Sequence, residues 1–343
     1  MKVKISIIIP HYNNFQILLN CIESIYKSTF KDFEIIVVDN GSSDSSDTIV
    51  KEKFPNVIVK KSLINLGYAG GCNLGSKIAK GKYLLFLNND TIIEKKCIEN
   101  LFLKIESHSN ISSVQPKILN INNKSFFDYA GASGGFIDYL VYPFARGRVF
   151  NTTEKDTSQY DKSIKIFWAS GACFLTREKA FKDLNGFDEN LFAHMEEIDY
   201  HWKCHLKNYD VWVEPKAILF HYGAQTLKVT SPQKTYLNHR NSLILLLSNY
   251  SLIRSITYFF TRIPLEILSS FYDLFNLRIR HFIAHYKALL SILFNLKLIA
   301  KKRNFIRKIR LIDDNTLFNK KIVFNKSIVI RYFFMRVVNF KDL

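Results

Sequence analysis

Four short apolar runs, at residues 5–9, 33–38, 57–59 and 83–87, are rich in Ile, Val, Leu and Phe, and a segment of helical length separates each from the next. Runs that are short and apolar at consecutive positions read as strands buried on both faces, which is the habit of parallel sheets. The intervening segments predict helices at 14–27, 45–54 and 70–80, with Asp44 and Ser45 as caps for the second. A βαβα order of this kind folds as a doubly wound, mostly parallel α/β sheet. Its ligands sit beyond the carboxyl ends of the strands. Three polar clusters fall there: Pro10-His11-Tyr12-Asn13, Asp39-Asn40-Gly41-Ser42 and Asn88-Asn89-Asp90.

Residues 117–161 break the rhythm. Their glycines and the Tyr142-Pro143-Phe144-Ala145-Arg146-Gly147-Arg148 stretch predict an insertion of hairpin or loop character near the cleft. A strand-like run at 164–176 follows, then a helix after Asn190 that carries Glu196, Glu197 and Asp199, then a strand at 211–213 before His221. Beyond residue 240 the character changes. Apolar stretches at 242–260, 263–277 and 281–300 are punctured by Arg and Lys, and none offers the roughly 20 uninterrupted apolar residues of a spanning helix. The division expected is therefore a nucleotide-binding α/β domain at 1–240 and a helical region at 241–343.

Charge locates a partner for that second part. The net charge is +18, and 19 of the 48 Lys and Arg, against five acidic residues, lie after His239. Basic amphipathic helices lie in the plane of an anionic membrane surface; the competing reading is a basic subdomain packed on the core. Nucleic acid is excluded as the partner: the charge stands among long apolar stretches and no nucleic-acid motif accompanies it. The five Cys are scattered without metal-ligand spacing, which fits a reduced, cytoplasmic protein. The N-terminus lacks the long apolar core of a signal peptide and reads as the first strand.

Several residues carry chemistry at these positions, each with a plainer alternative. Asp90 closes an apolar strand, where a carboxylate would hold a hard cation against a diphosphate; an Asn-rich turn is the alternative. Asp39 closes another strand and could accept hydrogen bonds from a ribose or a base. The segment Asn65-Leu66-Gly67-Tyr68-Ala69-Gly70-Gly71-Cys72-Asn73 is a glycine-rich entry to a helix, able to bring N–H groups to phosphate. Glu196, Glu197 and Asp199 crowd the first turn of a helix. There they are either a solvated helix start or a general base raised by its neighbours. Arg146 and Arg148 could hold phosphate, and His221 follows a strand as either a structural residue or a ligand.

The joint order of these pieces resembles a known family. The series "IIIPHYNN", "IIVVDNGSSD", "NLGYAGGCNLG", "LLFLNND", "WASGACFLTR", "GFDENLFAHMEEIDYHWK" and "VEPKAILFHYGAQT" is similar to inverting glycosyltransferases of family 2, with the GT-A fold. It resembles most the rhamnosyltransferase-like branch of surface-polysaccharide assembly, over about residues 5–241. The resemblance implies that Pro10, Tyr12 and Asp39 hold the base and ribose, and that Asn65, Gly67 and Asn73 line the nucleotide side. The family's Asp-x-Asp falls on Asn88-Asn89-Asp90, so Asn88 replaces the first acid and metal binding rests on Asp90. It implies His221 as the second ligand of Mg²⁺ or Mn²⁺. It places the catalytic base in the Glu196-Glu197 pair, of which Glu197 is favoured. Trp168, Ser170, Gly171 and Ala172 would shape the sugar pocket. The partners implied are a dTDP- or UDP-linked sugar, a lipid-linked glycan acceptor and an anionic membrane, with the protein peripheral at the inner face. The rival readings are a nucleotidyltransferase, which lacks its usual basic loop after the first strand, and a non-catalytic binding scaffold of the same fold.

Overall fold

A computed structural model describes residues 3–223 and 231–343, so the end of the last motif block, Ala224 to Thr226, lies outside the described residues. The first half alternates as the apolar runs require: β1 (Ile5–His11), α1 (Phe15–Tyr26), β2 (Phe33–Asn40), α2 (Ser46–Lys53), β3 (Ile58–Ser62), α3 (Gly67–Ser76) and β4 (Tyr83–Leu87). Every residue of β1 and β4 is buried. That two-sided burial is why these segments are apolar at every position rather than at alternate ones. Two core clusters cover the two faces of the sheet. Ile7, Ile9 and Leu85 point into one, and Ile8, Leu84 and Phe86 into the other. β3 is the exposed edge and carries Lys60 and Lys61, which discourage pairing with another chain.

The chain continues through β5 (Thr91–Ile93), α4 (Cys97–Glu106), β6 (Ile111–Asn120), β7 (Gly135–Asp138), β8 (Pro143–Ala145), β9 (Arg148–Val149), β10 (Thr152–Thr153), β11 (Ile164–Lys165) and β12 (Cys173–Arg177). Then come α5 (Glu178–Asp183), α6 (Glu196–Leu206) and β13 (Asp210–His221). Among the described residues the main sheet has nine strands in the order β11-β13-β6-β12-β4-β1-β2-β3, with β5 beside β13. β1 to β4 run parallel, whereas β12 inserts antiparallel between β4 and β6. This reversal puts the segment leading into β12 beside the end of β4. The run at 164–176 is thus two strands rather than one, split by a buried turn at Phe167–Gly171.

The region at 117–161 is partly β6 and partly a second, small sheet, β10-β9-β8-β7, whose last neighbour comes from far along the chain. The C-terminal part is α7 (Pro232–Asn249), α8 (Leu252–Phe275), α9 (Ile279–Phe294), α10 (Leu296–Ile309), α11 (Asp314–Asn319), β14 (Val323–Phe324) and α12 (Ile328–Phe333). β14 pairs in parallel with β7. Leu245, Leu246, Ile306, Ile309, Leu317 and Val323 enter the same core cluster as Ile8 and Phe86. The change of composition at residue 240 therefore falls inside α7, and the core runs on through it.

Candidate active site

The carboxyl ends of β1, β2 and β4 open onto one rim. His11, at the end of β1, accepts from Asn89 Nδ2 at its Nδ1 (2.8 Å) and meets Ser46 Oγ through Nε2 (2.8 Å). Burial lowers its pKa, which keeps the ring neutral as that pairing requires. Pro10 precedes it, and Tyr12 is 43% exposed at the mouth. Asp39 is fully buried; its Oδ1 accepts from Ser42 N–H (2.9 Å), while its Oδ2 has no hydrogen-bond partner and lies 3.9 Å from Lys61 Nζ. A buried carboxylate oxygen left open at a sheet's ligand edge suits a ribose hydroxyl.

The glycine-rich segment does different work from phosphate binding. Gly67 has φ +70°, and a Cβ there would lie 2.4 Å from the carbonyl oxygen of Phe192. Ala69 N–H donates to that same carbonyl (3.3 Å), and Asn65 Oδ1 accepts from Gly67 N–H (2.9 Å). The start of α3 is closed by the Phe192 loop. Asn73 is likewise occupied: its amide donates to Phe187 O (2.9 Å) and Glu189 Oε1 (3.0 Å) and accepts from Phe187 N–H (3.1 Å). Gly67 and Asn73 thus seat the 187–192 loop on α3, while Asn65 caps the turn into that helix and is exposed.

Asp90 and His221, 131 positions apart in sequence, meet because β13 pairs with β5 directly after Asp90, with His221 opposite Thr91. Asp90 Oδ1 lies 3.2 Å from His221 Nε2. The contact is off the line of a hydrogen bond, so both buried atoms are without a partner. On the ring's other side, Nδ1–H donates to Asp128 Oδ1 (2.8 Å), which also accepts from Ala130 N–H (2.8 Å). Burial works against a charge on His221, yet the Asp128 and Asp90 carboxylates outweigh it and push the pKa up to about 10; a cation taking Nε2 would displace that proton and supply the positive charge in its place. This donor set fits a divalent cation. Among the described residues imidazole Nε2 and a carboxylate oxygen face each other unpartnered, and a second carboxylate holds the ring from behind through Nδ1–H, the usual support of a metal-binding imidazole. Asn88 contributes its backbone to the turn, N–H to Ala172 O (2.9 Å), and leaves its side chain free at the rim.

Glu196 and Glu197 open α6 across the floor formed by residues 169–172. Tyr68 OH donates to Gly171 O (2.7 Å), and the Tyr68 ring lies against the glutamate pair. The Glu197 carbonyl meets His201 Nδ1 (2.7 Å), and that ring atom lies 3.3 Å from Ala169 N. The three acids of this turn have separate fates. Asp199 is opposed by burial but held down to about 2 by Lys302 (3.1 Å) and Lys203 (3.3 Å). Among the described residues no cation faces Glu196 or Glu197, and one oxygen of each is buried without a hydrogen bond. Burial, then the charge of Glu197, raises Glu196 well above the carboxylate range; burial raises Glu197 to about 7. Glu196 is buried and Glu197 is partly exposed to the cleft. Glu197 is therefore the member of the pair that can cycle its proton near neutrality.

The loop before α6 is strained: Phe192, His194 and Met195 all have φ between +63° and +73°. One buried side chain holds it. Asn241 in α7 places its amide nitrogen within 3.1 Å of the carbonyls of Leu191, Ala193 and His194. Asn241→Ala would leave the Ala193 and His194 carbonyls without this donor, while Leu191 O keeps Ala193 N–H and Arg240. It is expected to cost about 1–3 kcal/mol of stability in denaturant unfolding, and to lower turnover more than donor binding. Asp128, Asn241 and Lys302 carry no motif of their own in the sequence.

Two expectations are corrected by packing. Trp168 is buried, donates to Phe136 O (2.9 Å) and lies under Gly135, where a Cβ would clash at 2.1 Å; it is core and not pocket wall. Arg146 is buried and donates to the carbonyls of Ser133, Tyr160 and Lys162, so no phosphate can claim it. Arg148 stacks over the Tyr129 ring (4.5 Å).

Known proteins are similar to this chain in sequence and in fold. Glycosyltransferase GlyG of Streptococcus pneumoniae serotype 4 is 30% identical over 145 residues, 41% of this chain and 45% of that protein. The poly(ribitol-phosphate) beta-glucosyltransferase of Bacillus spizizenii is 37% identical over 161 residues, 44% of this chain and 25% of that protein. The chain spans less than half the length of these two relatives. Among solved structures, GalNAc-T7 with UDP, GalNAc and Mn²⁺ superposes with TM-score 0.57 at 17% identity, covering 72% of this chain and 48% of that one. Residues 1–349 of S. aureus TarS in complex with UDP superpose with TM-score 0.51 at 20% identity, covering 76% and 71%. These likenesses give the fold, which is GT-A. The model of the family described as "Glycosyl transferase family 2" matches residues 6–184, more than half of the sequence. The chain belongs to glycosyl transferase family 2.

Proposed function

We propose that this protein is an inverting glycosyltransferase that moves a sugar from a nucleoside diphosphate to a hydroxyl of a growing surface glycan. The observation that carries this reading is the division of the cleft. Among the described residues, Asp90 Oδ1 and His221 Nε2 stand unpartnered on one side, and beyond the 169–172 turn is a glutamate that no cation neutralises. Leaving-group stabilisation and base catalysis need those two kinds of group, placed apart.

Asp90 and His221 would hold Mg²⁺ or Mn²⁺, and the ion would neutralise charge building on the departing diphosphate. Asp128 keeps the His221 ring turned so that Nε2 faces Asp90. Asp39, through its open oxygen, binds the ribose, while Pro10 and Tyr12 border the base. Glu197 takes the proton of the acceptor hydroxyl as that oxygen attacks the anomeric carbon from the face opposite the diphosphate. One displacement inverts the carbon and needs no covalent intermediate. Glu196, protonated, gives Glu197 a neutral neighbour. UDP stands in the two structural neighbours described above, which favours a uridine-linked donor over a thymidine-linked one; rhamnose follows only from the sequence branch. An acceptor carried on a lipid at the cytoplasmic face is the reading that suits a charged, cytosolic donor. It also suits the polymer named for the Bacillus relative.

The pH profile tests the base. Glu197 acts deprotonated and burial has raised its pKa to about 7. kcat/KM should therefore fall about tenfold per pH unit as pH drops below about 7, and level off above it. A flat profile from pH 5 to 8, read as nucleoside diphosphate release, would remove Glu197 from this role.

A further inference from the structure

We propose that the α8–α9 hairpin is a membrane-docking element whose apolar face lies in an anionic bilayer. α8 is built inside out. Its buried positions are Ser255, Arg262, Glu266, Ser270 and Asp273, while Ile256, Phe260, Ile267, Phe271 and Phe275 on the opposite side are exposed, Phe260 at 66% and Phe275 at 82%. α9 continues this surface with Ile283, Leu290, Leu293 and Phe294, the last 88% exposed. A helix in water buries its apolar face. One that buries ions and displays Phe is arranged for a solvent that is itself apolar.

The interior is a network of ion pairs and hydrogen bonds, in which His285 Nδ1 stands 3.7 Å from Glu266 Oε2 without a hydrogen bond among the described residues. Arg262 donates through Nε to Glu266 Oε1 (2.8 Å), through Nη1 to Leu140 O (2.6 Å) and through Nη2 to Ser242 Oγ (2.6 Å). Glu266 Oε2 meets His239 Nδ1 (2.5 Å), and Asp273 Oδ2 meets His285 Nε2 (3.0 Å). His239, Glu266 and His285 are spaced as metal ligands would be, but Arg262 already neutralises Glu266 from 2.8 Å. The network fastens the hairpin to α7 and to the turn after β7, which fixes the apolar face outward.

Two further features commit the occupant to a bilayer with negative headgroups. No single helix among the described residues is long and apolar enough to cross a membrane, and α9 with α10 reaches that length only as a pair bent by 68°; a helix that is apolar along one face and ionic along the other suits the surface plane. At the N-terminal end of α8, beside exposed Leu252 and Ile253, a cavity of about 820 Å³ is lined by Arg254, Arg303, Arg307 and Arg310 against Asp313 and Asp314. Its excess positive charge faces where headgroup phosphates would stand. Two of the α10 cations are committed inward, while Lys297, Lys301, Arg307 and Lys308 are exposed. Lys302 bridges Asp188 and Asp199, and Arg303 donates to the carbonyls of Leu247 and Tyr250.

The inference shares the membrane location with the proposed function but not its chemistry, so the two fail separately. In vesicle flotation with the full chain, the protein should bind phosphatidylglycerol vesicles and bind phosphatidylcholine vesicles more weakly. The Phe260→Ser/Phe271→Ser/Phe275→Ser/Phe294→Ser variant should lose about a hundredfold in partitioning, with unchanged circular dichroism and unchanged donor hydrolysis in solution. Arg254→Gln/Arg307→Gln should lose the preference for phosphatidylglycerol while keeping the binding to neutral vesicles. Flotation of the quadruple variant equal to the wild type would overturn the proposal. So would a wild-type dimer that the same variant dissolves without any vesicle binding.

Discussion

Glu197→Gln is expected to lower kcat for sugar transfer by about 10²- to 10⁴-fold, the range for loss of a positioned general base. The amide keeps the shape of the side chain and removes only its ability to take a proton. Donor affinity should hardly change, since the glutamate pair stands across the 169–172 floor from Asp90 and His221. Glu196→Gln is the matched control. Burial and the neighbouring charge hold Glu196 protonated, and an amide imitates that state, so its rate should stay within about tenfold of wild type. Equal losses in the two variants would contradict the assignment of the base. Initial rates at saturating donor and acceptor make the comparison.

Asp90→Ala is expected to remove transfer by a different route. Charge stabilisation by a bound divalent ion is worth several kcal/mol, so about 4 kcal/mol lost corresponds to roughly 10³-fold in rate. Asp90 is the acid that remains of the family's pair, because Asn88 occupies the other position. The effect should appear in binding of the nucleotide as well as in turnover, and raised Mn²⁺ should recover part of it. His221→Ala should behave alike, since its Nε2 faces the same oxygen at 3.2 Å. A fully active Asp90→Ala enzyme at low metal would refute the role.

The sequence made these residues visible to different degrees. Asp39, Asp90 and His221 could be placed in advance because each ends a strand, and strand ends of a parallel sheet share one edge. The glutamate pair was legible as a helix start, but only the fold shows that Asp199 is paired with Lys302 and Lys203 while Glu196 and Glu197 are not. The packing of Gly67 and Asn73 against the 187–192 loop was not legible, because a glycine-rich helix entry looks the same whether it admits a phosphate or a loop carbonyl. Asp128, Asn241 and Lys302 act on partners 93, 50 and 103 positions away, contacts that no local pattern encodes.

The tail shows the same limit. A break was expected between 260 and 263, yet α8 runs through Pro264 and the chain turns instead at Tyr250 and Ser251. Net charge directed attention to α10, where Lys302 and Arg303 are used within the fold while Lys297, Lys301, Arg307 and Lys308 stay exposed. The spacing of Ser255, Arg262, Glu266, Ser270 and Asp273 along one helical face carried the better signal, and it becomes readable once the helix is known to be continuous.

Titrating UDP with Mn²⁺ into wild type, Asp90→Ala and Glu197→Gln, and measuring sugar transfer on the same samples, tests the divided cleft most directly. Wild type and Glu197→Gln should bind nucleotide alike while only the wild type turns over, and Asp90→Ala should fail at both. Undiminished binding by Asp90→Ala, or weakened binding by Glu197→Gln, would mean that the metal side and the base side are not where these residues stand.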